Sequence, residues 1–302
     1  MCFTTDNYSF TCRAVIDIKK GEELTTNYLH YQYHFFGLYY RQTELCKSWH
    51  FKCACHRCKD FTESGLLCDA LVCRKCELGR VLPLNMDQGS EWVCNTCCES
   101  MTHATFMECI TYWWNIIEKT SRRDIKELIE LLQKILQVFD KKHYYVLEVK
   151  RRIIENIGDF RETNFEDLQE EWLEKKVEFC RDHLEIQRDI APGLSEYKAY
   201  ISAHIAEPLY WLTKRRYISQ KCGEDELSKN MEEIAQHLLM ITKIWEHCKK
   251  LSPEKIKAEN AKDLLEMVEK MYLQKKHVDI AKNTTREAIG FDPILSMAWQ
   301  GC

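Results

Sequence analysis

The chain has 302 residues, of which 45% are hydrophobic and 30% are charged, and its formal net charge is −4 at pH 7. This length allows two or three domains, and the composition is that of folded proteins, which excludes a disordered chain. Residues 1–101 carry 11 Lys or Arg against 12 Asp or Glu. Because zinc modules that bind DNA need a basic face, we expect no direct contact with nucleic acid.

The sequence contains no apolar run of the ~20 residues that a membrane-spanning helix needs. The first residues, Met1 to Asp6, lack the basic and apolar regions of a signal peptide. We therefore expect no membrane association and an intracellular location, in the cytoplasm, the nucleus or both. In a reducing compartment, clustered cysteines are metal ligands more often than disulfides.

Short runs of β-type residues come first along the chain. Residues 10–16 and 24–28 are predicted strands, with a turn at residues 20–23 between them. Residues 80–84 and 91–93 are two further predicted short strands. All four lie in the part of the chain that is rich in cysteine.

The pattern after residue 102 is helical, and it predicts six to eight helices joined by short loops. Ser252 before Pro253 is a typical helix start, since a hydroxyl can cap the first turn and proline suits its first position. Residues 157–159 and 191–193 are predicted breaks between helices. Apolar residues recur with helical spacing in three stretches: Ile125, Leu128, Ile129, Leu132 and Ile135; Leu227, Met231, Ile234, Leu238, Ile241, Trp245 and Cys248; and Leu264, Val268 and Met271.

The 17 cysteines are unevenly distributed, because 12 of them lie within residues 1–98. The other five are scattered, and we expect them to be small buried hydrophobic residues. They are Cys109, Cys180, Cys222, Cys248 and Cys302.

One cysteine pattern predicts a zinc ribbon. Cys73 and Cys76 are separated by two residues, as are Cys94 and Cys97, and 17 residues lie between the pairs. This spacing is typical of a tetrahedral four-cysteine zinc site, which leaves little room for the alternative of four unligated thiols. Cys98 is an alternative to Cys97, but the two-residue spacing favours Cys97.

A second pattern is incomplete. Cys53, Cys55 and Cys58 form a group of three, whereas a structural zinc needs four ligands. This predicts a second zinc ion only if a ligand comes from elsewhere, and the alternative is an empty or defective site. The local candidates, none with convincing spacing, are Cys2, Cys12, Cys46 and His56.

Two segments carry a family resemblance. Residues 13–28 (RAVIDIKKGEELTTNY) are similar to the closing segment of a SET methyltransferase domain, and residues 49–58 (WHFKCACHRC) to the post-SET element. With the zinc ribbon and the helical tail, the chain resembles the SET-and-MYND-domain (SMYD) family, especially its SmydA branch. The helical part is similar to that family's tetratricopeptide-like tail, although no clean 34-residue repeat is visible.

The resemblance implies methyl transfer from S-adenosylmethionine to a protein lysine, possibly of a histone. It places Tyr28 as the catalytic tyrosine that also borders the cofactor, and Trp49 and Phe51 as walls of the substrate channel. Phe51 would also approach the cofactor adenine. Cys53, Cys55 and Cys58 match the post-SET zinc ligands. The residues alone favour Tyr28 as a packed core tyrosine, and they allow Trp49 and Phe51 to be a cover over the cysteine loop.

The chain also departs from the family. The glycine-rich strand, the Asn-His-x-Cys-x-x-Pro-Asn segment and the MYND finger of the family are not found in it. In the family the Asn-His-x-Cys segment supplies the fourth post-SET ligand. We therefore expect a truncated isoform, fragment or degenerate copy that is inactive by itself.

These observations predict an α+β fold, predominantly α, with a small zinc-bound β-rich part followed by an antiparallel helical array. The predicted function is that of a SMYD-type methyltransferase, with a zinc-containing interaction protein in transcriptional regulation as the alternative. The partner is a protein in both cases, either a substrate or a regulator. The predicted domains are a SET remnant (1–48), a post-SET cluster (49–62), a zinc ribbon (63–101) and a tetratricopeptide-like helical domain (102–302).

Overall fold

A computed structural model describes residues 12–30, 33, 35–85, 89–158, 165–248 and 252–278. Helices dominate, and a small antiparallel sheet accompanies them, which confirms the predicted α+β class with mostly α structure. The chain divides into two compact units, one of residues 25–156 and one of residues 1–24 with 157–302. The four domain boundaries set out from the sequence stay a prediction.

The unit of residues 25–156 holds five helices and four short strands in its described residues. In chain order these are α1 (Leu38–Trp49), α2 (His56–Lys59), β1 (Leu71–Val72), β2 (Arg80–Pro83), β3 (Trp92–Cys94), β4 (Ser100–Met101), α3 (His103–Lys119), α4 (Ile125–Ile135) and α5 (Tyr144–Asn156). The strands form one antiparallel sheet in the order β1-β2-β3-β4. The predicted strands at residues 80–84 and 91–93 correspond to β2 and β3.

Local chemistry explains where two helices of this unit begin. The Thr102 hydroxyl accepts a hydrogen bond from Thr105 N at 3.2 Å, and the Asp124 carboxylate accepts one from Lys126 N at 3.0 Å. These bonds satisfy backbone donors that the first turns of α3 and α4 leave free. On α4, Leu128, Leu132 and Ile135 are buried as the spacing predicts, and Ile125 and Ile129 are half-buried.

The other unit contains four helices in its described residues: α6 (Glu170–Ile190), α7 (Glu196–Ile218), α8 (Glu224–Trp245) and α9 (Pro253–Val278). Each packs on the next one along the chain. The predicted seam of α8 is buried from Leu227 to Trp245. Ser252 Oγ accepts from Lys255 N at 3.2 Å, which confirms the cap of α9. The side chain of Met271 lies outside the described residues.

The two predicted N-terminal strands are wrong where the structure describes them, because residues 12–28 contain no strand. A strand needs a neighbour to pair with, and Val15 instead accepts one hydrogen bond at its carbonyl, from Leu194 N at 3.0 Å. Gly193 allows this approach, since a Cβ there would lie 2.2 Å from the Val15 carbonyl oxygen. Residues 10 and 11 lie outside the described residues.

The scattered cysteines are only partly as expected. Cys180 and Cys222 are buried, which confirms the expectation for them. Cys109 and Cys248 are half-buried, and Cys302 lies outside the described residues. Among the helices that the structure describes, none combines the length and the apolar character that crossing a membrane requires.

Candidate metal centres and aromatic cluster

The four ribbon cysteines converge on one point. The Sγ atoms of Cys73, Cys76, Cys94 and Cys97 all lie within 4.8 Å of one another. Cys73 Sγ is 3.6 Å from Cys97 Sγ, and Cys76 Sγ is 3.7 Å from Cys94 Sγ. Tetrahedral zinc with Zn–S bonds of ~2.3 Å separates neighbouring sulfurs by about 3.8 Å. The four residues therefore fit a zinc ion.

The sheet and two tight turns bring these sulfurs together. The pairing of Val81 with Cys94 between β2 and β3 places the end of β3 beside the turn that precedes β2. In the first turn Gly79 N donates to Cys76 Sγ at 3.3 Å, and in the second Thr96 N donates to Cys94 Sγ at 3.4 Å. Such backbone donors stabilise thiolates, the form of cysteine that binds metal.

The pKa shifts of two of these thiols also suit a metal site. Burial raises the pKa of Cys94, but the N–H groups of Cys97 and Thr96 outweigh it and bring the pKa to about 6. The Glu99 N–H lowers the pKa of Cys97, yet burial and the neighbouring sulfurs raise it to about 12. One sulfur is thus ready to ionise while another keeps its proton, and a bound dication would displace such protons.

Gly79 occupies a position that has no room for a side chain. A Cβ there would lie 2.3 Å from Cys94 Sγ and 2.8 Å from Thr96 Oγ1. The glycine therefore lets the first turn approach the second closely enough for the four sulfurs to meet. Cys98, the alternative ligand, is exposed, and it is Cys97 that lies in the cluster.

The second cluster has three members in the described part of the chain. The Sγ atoms of Cys53, Cys55 and Cys58 lie within 4.8 Å of one another. Cys55 precedes the first turn of α2, and Cys58 N donates to its carbonyl at 3.0 Å. Gln42 of α1 fixes Cys53, because its Nε2 donates to the Cys53 carbonyl at 2.7 Å and its Oε1 accepts from Cys53 N at 3.1 Å.

A buried group of charges supports the second cluster. Arg41 of α1 lies 3.7 Å from Cys58 Sγ through Nη2 and forms an ion pair with buried Glu63. Arg57 pairs with the same carboxylate at 2.6 Å. Burial raises the pKa of Cys58 to about 12, although Arg41 opposes this shift. A metal ion at this cluster would displace the proton of the Cys58 thiol and compensate the negative charge of the resulting thiolate.

Two of the local candidates for the fourth ligand, Cys46 and His56, stand apart from this cluster. Cys46 donates from Sγ to the Phe51 carbonyl at 3.5 Å, and neither Cys46 nor His56 joins the three sulfurs. Cys12 belongs to the other unit, and Cys2 lies outside the described residues. Three converging thiols fit a zinc ion only with one further ligand.

The three predicted aromatic residues of the methyl-transfer site lie together. The Tyr28 ring is 5.1 Å from the Trp49 ring and 5.3 Å from the Phe51 ring, and both contacts are edge-to-face. Tyr28 is 48% exposed and Trp49 is 53% exposed, so Tyr28 is not a packed core residue. Their roles in catalysis and in cofactor binding stay predictions.

Several supporting residues escaped the sequence analysis. Gln42, Arg41 and Glu63 act across the fold, up to 22 residues from their partners. A signal existed for one of them: Arg41 stands three residues after Leu38 and four before Leu45 on the buried face of α1. A charged residue in such a position requires a buried partner.

No protein-family model matches the chain. It is 28% identical over 200 residues to the SET domain-containing protein SmydA-8, isoform A, of Drosophila melanogaster, covering 64% of this chain and 41% of that protein. Isoform B gives 26% identity over 195 residues, 62% of this chain and 42% of that protein. The histone-lysine N-methyltransferase SET5 of Meyerozyma guilliermondii is 51% identical over 47 residues, 16% of this chain and 9% of that protein.

These matches support a SET/SMYD-like family. They bear out the sequence resemblance to that family, and the SET5 match supports a methyltransferase family. The chain spans about two fifths of the length of the SmydA-8 isoforms, 41% and 42% respectively. Its two cysteine clusters could hold zinc.

Proposed function

We propose that this chain contributes the closing part of a SMYD-type protein-lysine N-methyltransferase site. The observation that carries the proposal is the packing of Tyr28 against Trp49 and Phe51. The first thiol of a three-cysteine cluster follows Phe51 by two residues. The sequence resemblance and the SET-domain relatives support the same function.

In this proposal each aromatic residue has one task. The hydroxyl of Tyr28 orients the amine of the substrate lysine, while Trp49 and Phe51 border the channel and exclude water. A neutral amine is the nucleophile, and an apolar channel favours it over the ammonium form. S-adenosylmethionine supplies the methyl group, and Phe51 is the residue of this chain that we assign to its adenine.

The two cysteine clusters have a structural role in the proposal. Cys73, Cys76, Cys94 and Cys97 hold one zinc ion that fixes the ribbon, and Cys53, Cys55 and Cys58 hold a second with one added ligand. The convergence of the sulfurs supports both assignments. Reduced thiol clusters also support an intracellular location, in the cytoplasm, the nucleus or both.

For the 302-residue chain by itself we propose no methyl transfer, because its sequence lacks the Asn-His-x-Cys-x-x-Pro-Asn motif. The test combines calorimetry with S-adenosylmethionine and transfer of labelled methyl groups to histones. Micromolar binding that Phe51→Ala abolishes and Tyr112→Ala retains supports the methyltransferase site. Tyr112 is a matched control, since it is an exposed aromatic residue on α3. Methyl transfer by the chain alone refutes the inactivity.

The alternative is a non-catalytic interaction protein in transcriptional regulation. The sequential packing of α6 to α9 favours it, because stacked helices present extended surfaces to protein partners. No binding of S-adenosylmethionine at millimolar concentration, together with a specific protein complex, supports this alternative. A mobility shift with DNA and a steep salt dependence would contradict the expectation that nucleic acid is not a partner.

A further inference from the structure

A cavity of about 730 Å³ lies inside the unit of residues 25–156. Residues of α1, the second cysteine cluster, the end of β2, the start of β3 and the start of α3 line it. Its volume is within the range of ligand-binding clefts. Tyr28, Trp49 and Phe51 do not belong to its lining, although Lys52 and Cys53, which follow Phe51, do.

One wall of the cavity is apolar and well fixed. Phe61, Leu38 and Pro83 contribute apolar surface, and Trp92 adds an indole. The Trp92 ring stacks on Phe106 with 3.5 Å between centroids. Its Nε1 also donates to Nδ1 of His103, another lining residue, at 3.4 Å. A rigid aromatic wall of this kind is suited to a hydrophobic side chain, because little entropy is lost on binding.

Lysines outnumber carboxylates among the described residues of the lining. Lys47, Lys52 and Lys59 line the cavity with exposed side chains, and none of them forms an ion pair with a residue that the structure describes. Asp69 is the single carboxylate among the lining residues that the structure describes. It is buried, its Oδ2 accepts from Tyr39 N at 3.1 Å, and burial followed by the charge of Glu63 raises its pKa to about 7. The negative charge of Asp69 therefore offsets the positive charge of the three lysines only in part.

These features select among possible occupants. A free phosphate ion would leave the apolar wall uncovered, and Asp69 in the lining would not favour an anion. A nucleic acid needs a broad basic surface, whereas residues 1–101 are balanced in charge. A peptide that carries carboxylates around one apolar side chain matches both the lysines and the wall.

We propose that this cavity binds an acidic, extended segment of a partner protein. One aromatic or aliphatic side chain of the segment inserts against Phe61 and Trp92. Flanking carboxylates of the segment pair with Lys47, Lys52 and Lys59. The proposal goes beyond the methyltransferase function and does not depend on it, since no methyl group is transferred at this cavity.

The test uses fluorescence polarisation with the labelled peptide Glu-Glu-Phe-Glu-Glu and the full 302-residue chain loaded with zinc. We expect binding that weakens at least tenfold when Ser replaces the central Phe, and no binding of Lys-Lys-Phe-Lys-Lys. Reversing all three lysines, with Lys47→Glu, Lys52→Glu and Lys59→Glu together, lowers the affinity at least tenfold, because each exposed ion pair contributes modestly. The matched control reverses three exposed lysines of the same unit outside the cavity, Lys119, Lys126 and Lys134.

A second variant keeps the lysines and fills the space. Thr43 is an exposed lining residue on α1, so Thr43→Trp obstructs the cavity without opening the core. It should abolish peptide binding while the melting temperature and the zinc content stay at the wild-type values. Equal affinity of the triple cavity variant and the control variant overturns the proposal. So does a 12-nucleotide DNA that competes for the cavity more tightly than the peptide does.

Discussion

Gly79 allows the zinc ribbon to be tested without removing any ligand. In Gly79→Ala the new Cβ would lie 2.3 Å from Cys94 Sγ. Nonbonded carbon and sulfur atoms need roughly 3.5 Å or more, so the sulfur has to move by about 1 Å. A zinc site tolerates deviations of only about 0.2 Å in its distances.

The expected result of Gly79→Ala is a loss of zinc affinity of about 10- to 100-fold, as for other changes that misplace a ligand. Because metal binding contributes directly to folding, this corresponds to about 1.4 to 2.7 kcal/mol of stability in the zinc-loaded protein. Competition with a chromogenic zinc chelator measures the affinity, and thermal melting measures the stability.

The control is Gly223→Ala, because a Cβ at Gly223 would meet nothing within 4 Å. Gly223 precedes the first turn of α8, so this variant changes stability slightly and leaves zinc binding as it was. Wild-type zinc affinity in Gly79→Ala would refute the assignment of these four sulfurs to one metal ion.

Two further predictions concern buried and paired charges. Arg41→Met leaves Glu63 buried with fewer partners, which should lower the free energy of unfolding by about 3 kcal/mol in urea denaturation. Adding Glu63→Gln should restore part of this loss. An unchanged urea midpoint in the single variant would contradict the ion pair. Partial burial favours a raised pKa for Glu233, but hydrogen bonds and charges from His237 and Arg181 lower it from 4.5 to about 2. Its folded pKa is therefore depressed, so this stabilisation is present above pH 4.5 and is lost as the pH falls towards 2. Chemical denaturation across this pH range should show that the free energy of unfolding falls less on acidification in Glu233→Gln than in the wild type. An equal fall in both proteins would contradict the pairing.

The zinc ribbon could be predicted because its information is local. Two residues between Cys73 and Cys76, and two between Cys94 and Cys97, fix tight turns whatever the rest of the chain does. The helical seam from Leu227 to Trp245 is local in the same sense, since its period belongs to one helix.

Features that depend on distant pairing could not be predicted from the sequence. Residues 10–16 have strand-like composition, yet a strand forms only beside a partner, and Val15 instead meets the loop at Gly193. Gln42 donates a hydrogen bond to the Cys53 carbonyl, and Arg41 forms an ion pair with Glu63. Both contacts depend on where α1 lies relative to the cysteine loop, which only the structure shows. The spacing of residues along the sequence does not predict such contacts.

Zinc content of the reduced, purified chain tests the central claim most directly. Elemental analysis should find at least one zinc ion per chain, and the double variant Cys73→Ser with Cys94→Ser should lose one ion and melt at a lower temperature. Cys109→Ser with Cys248→Ser is the matched control, since both residues are half-buried and lie outside the clusters. A chain without zinc, or a ribbon variant that retains the metal and the melting temperature of the control, would contradict the account.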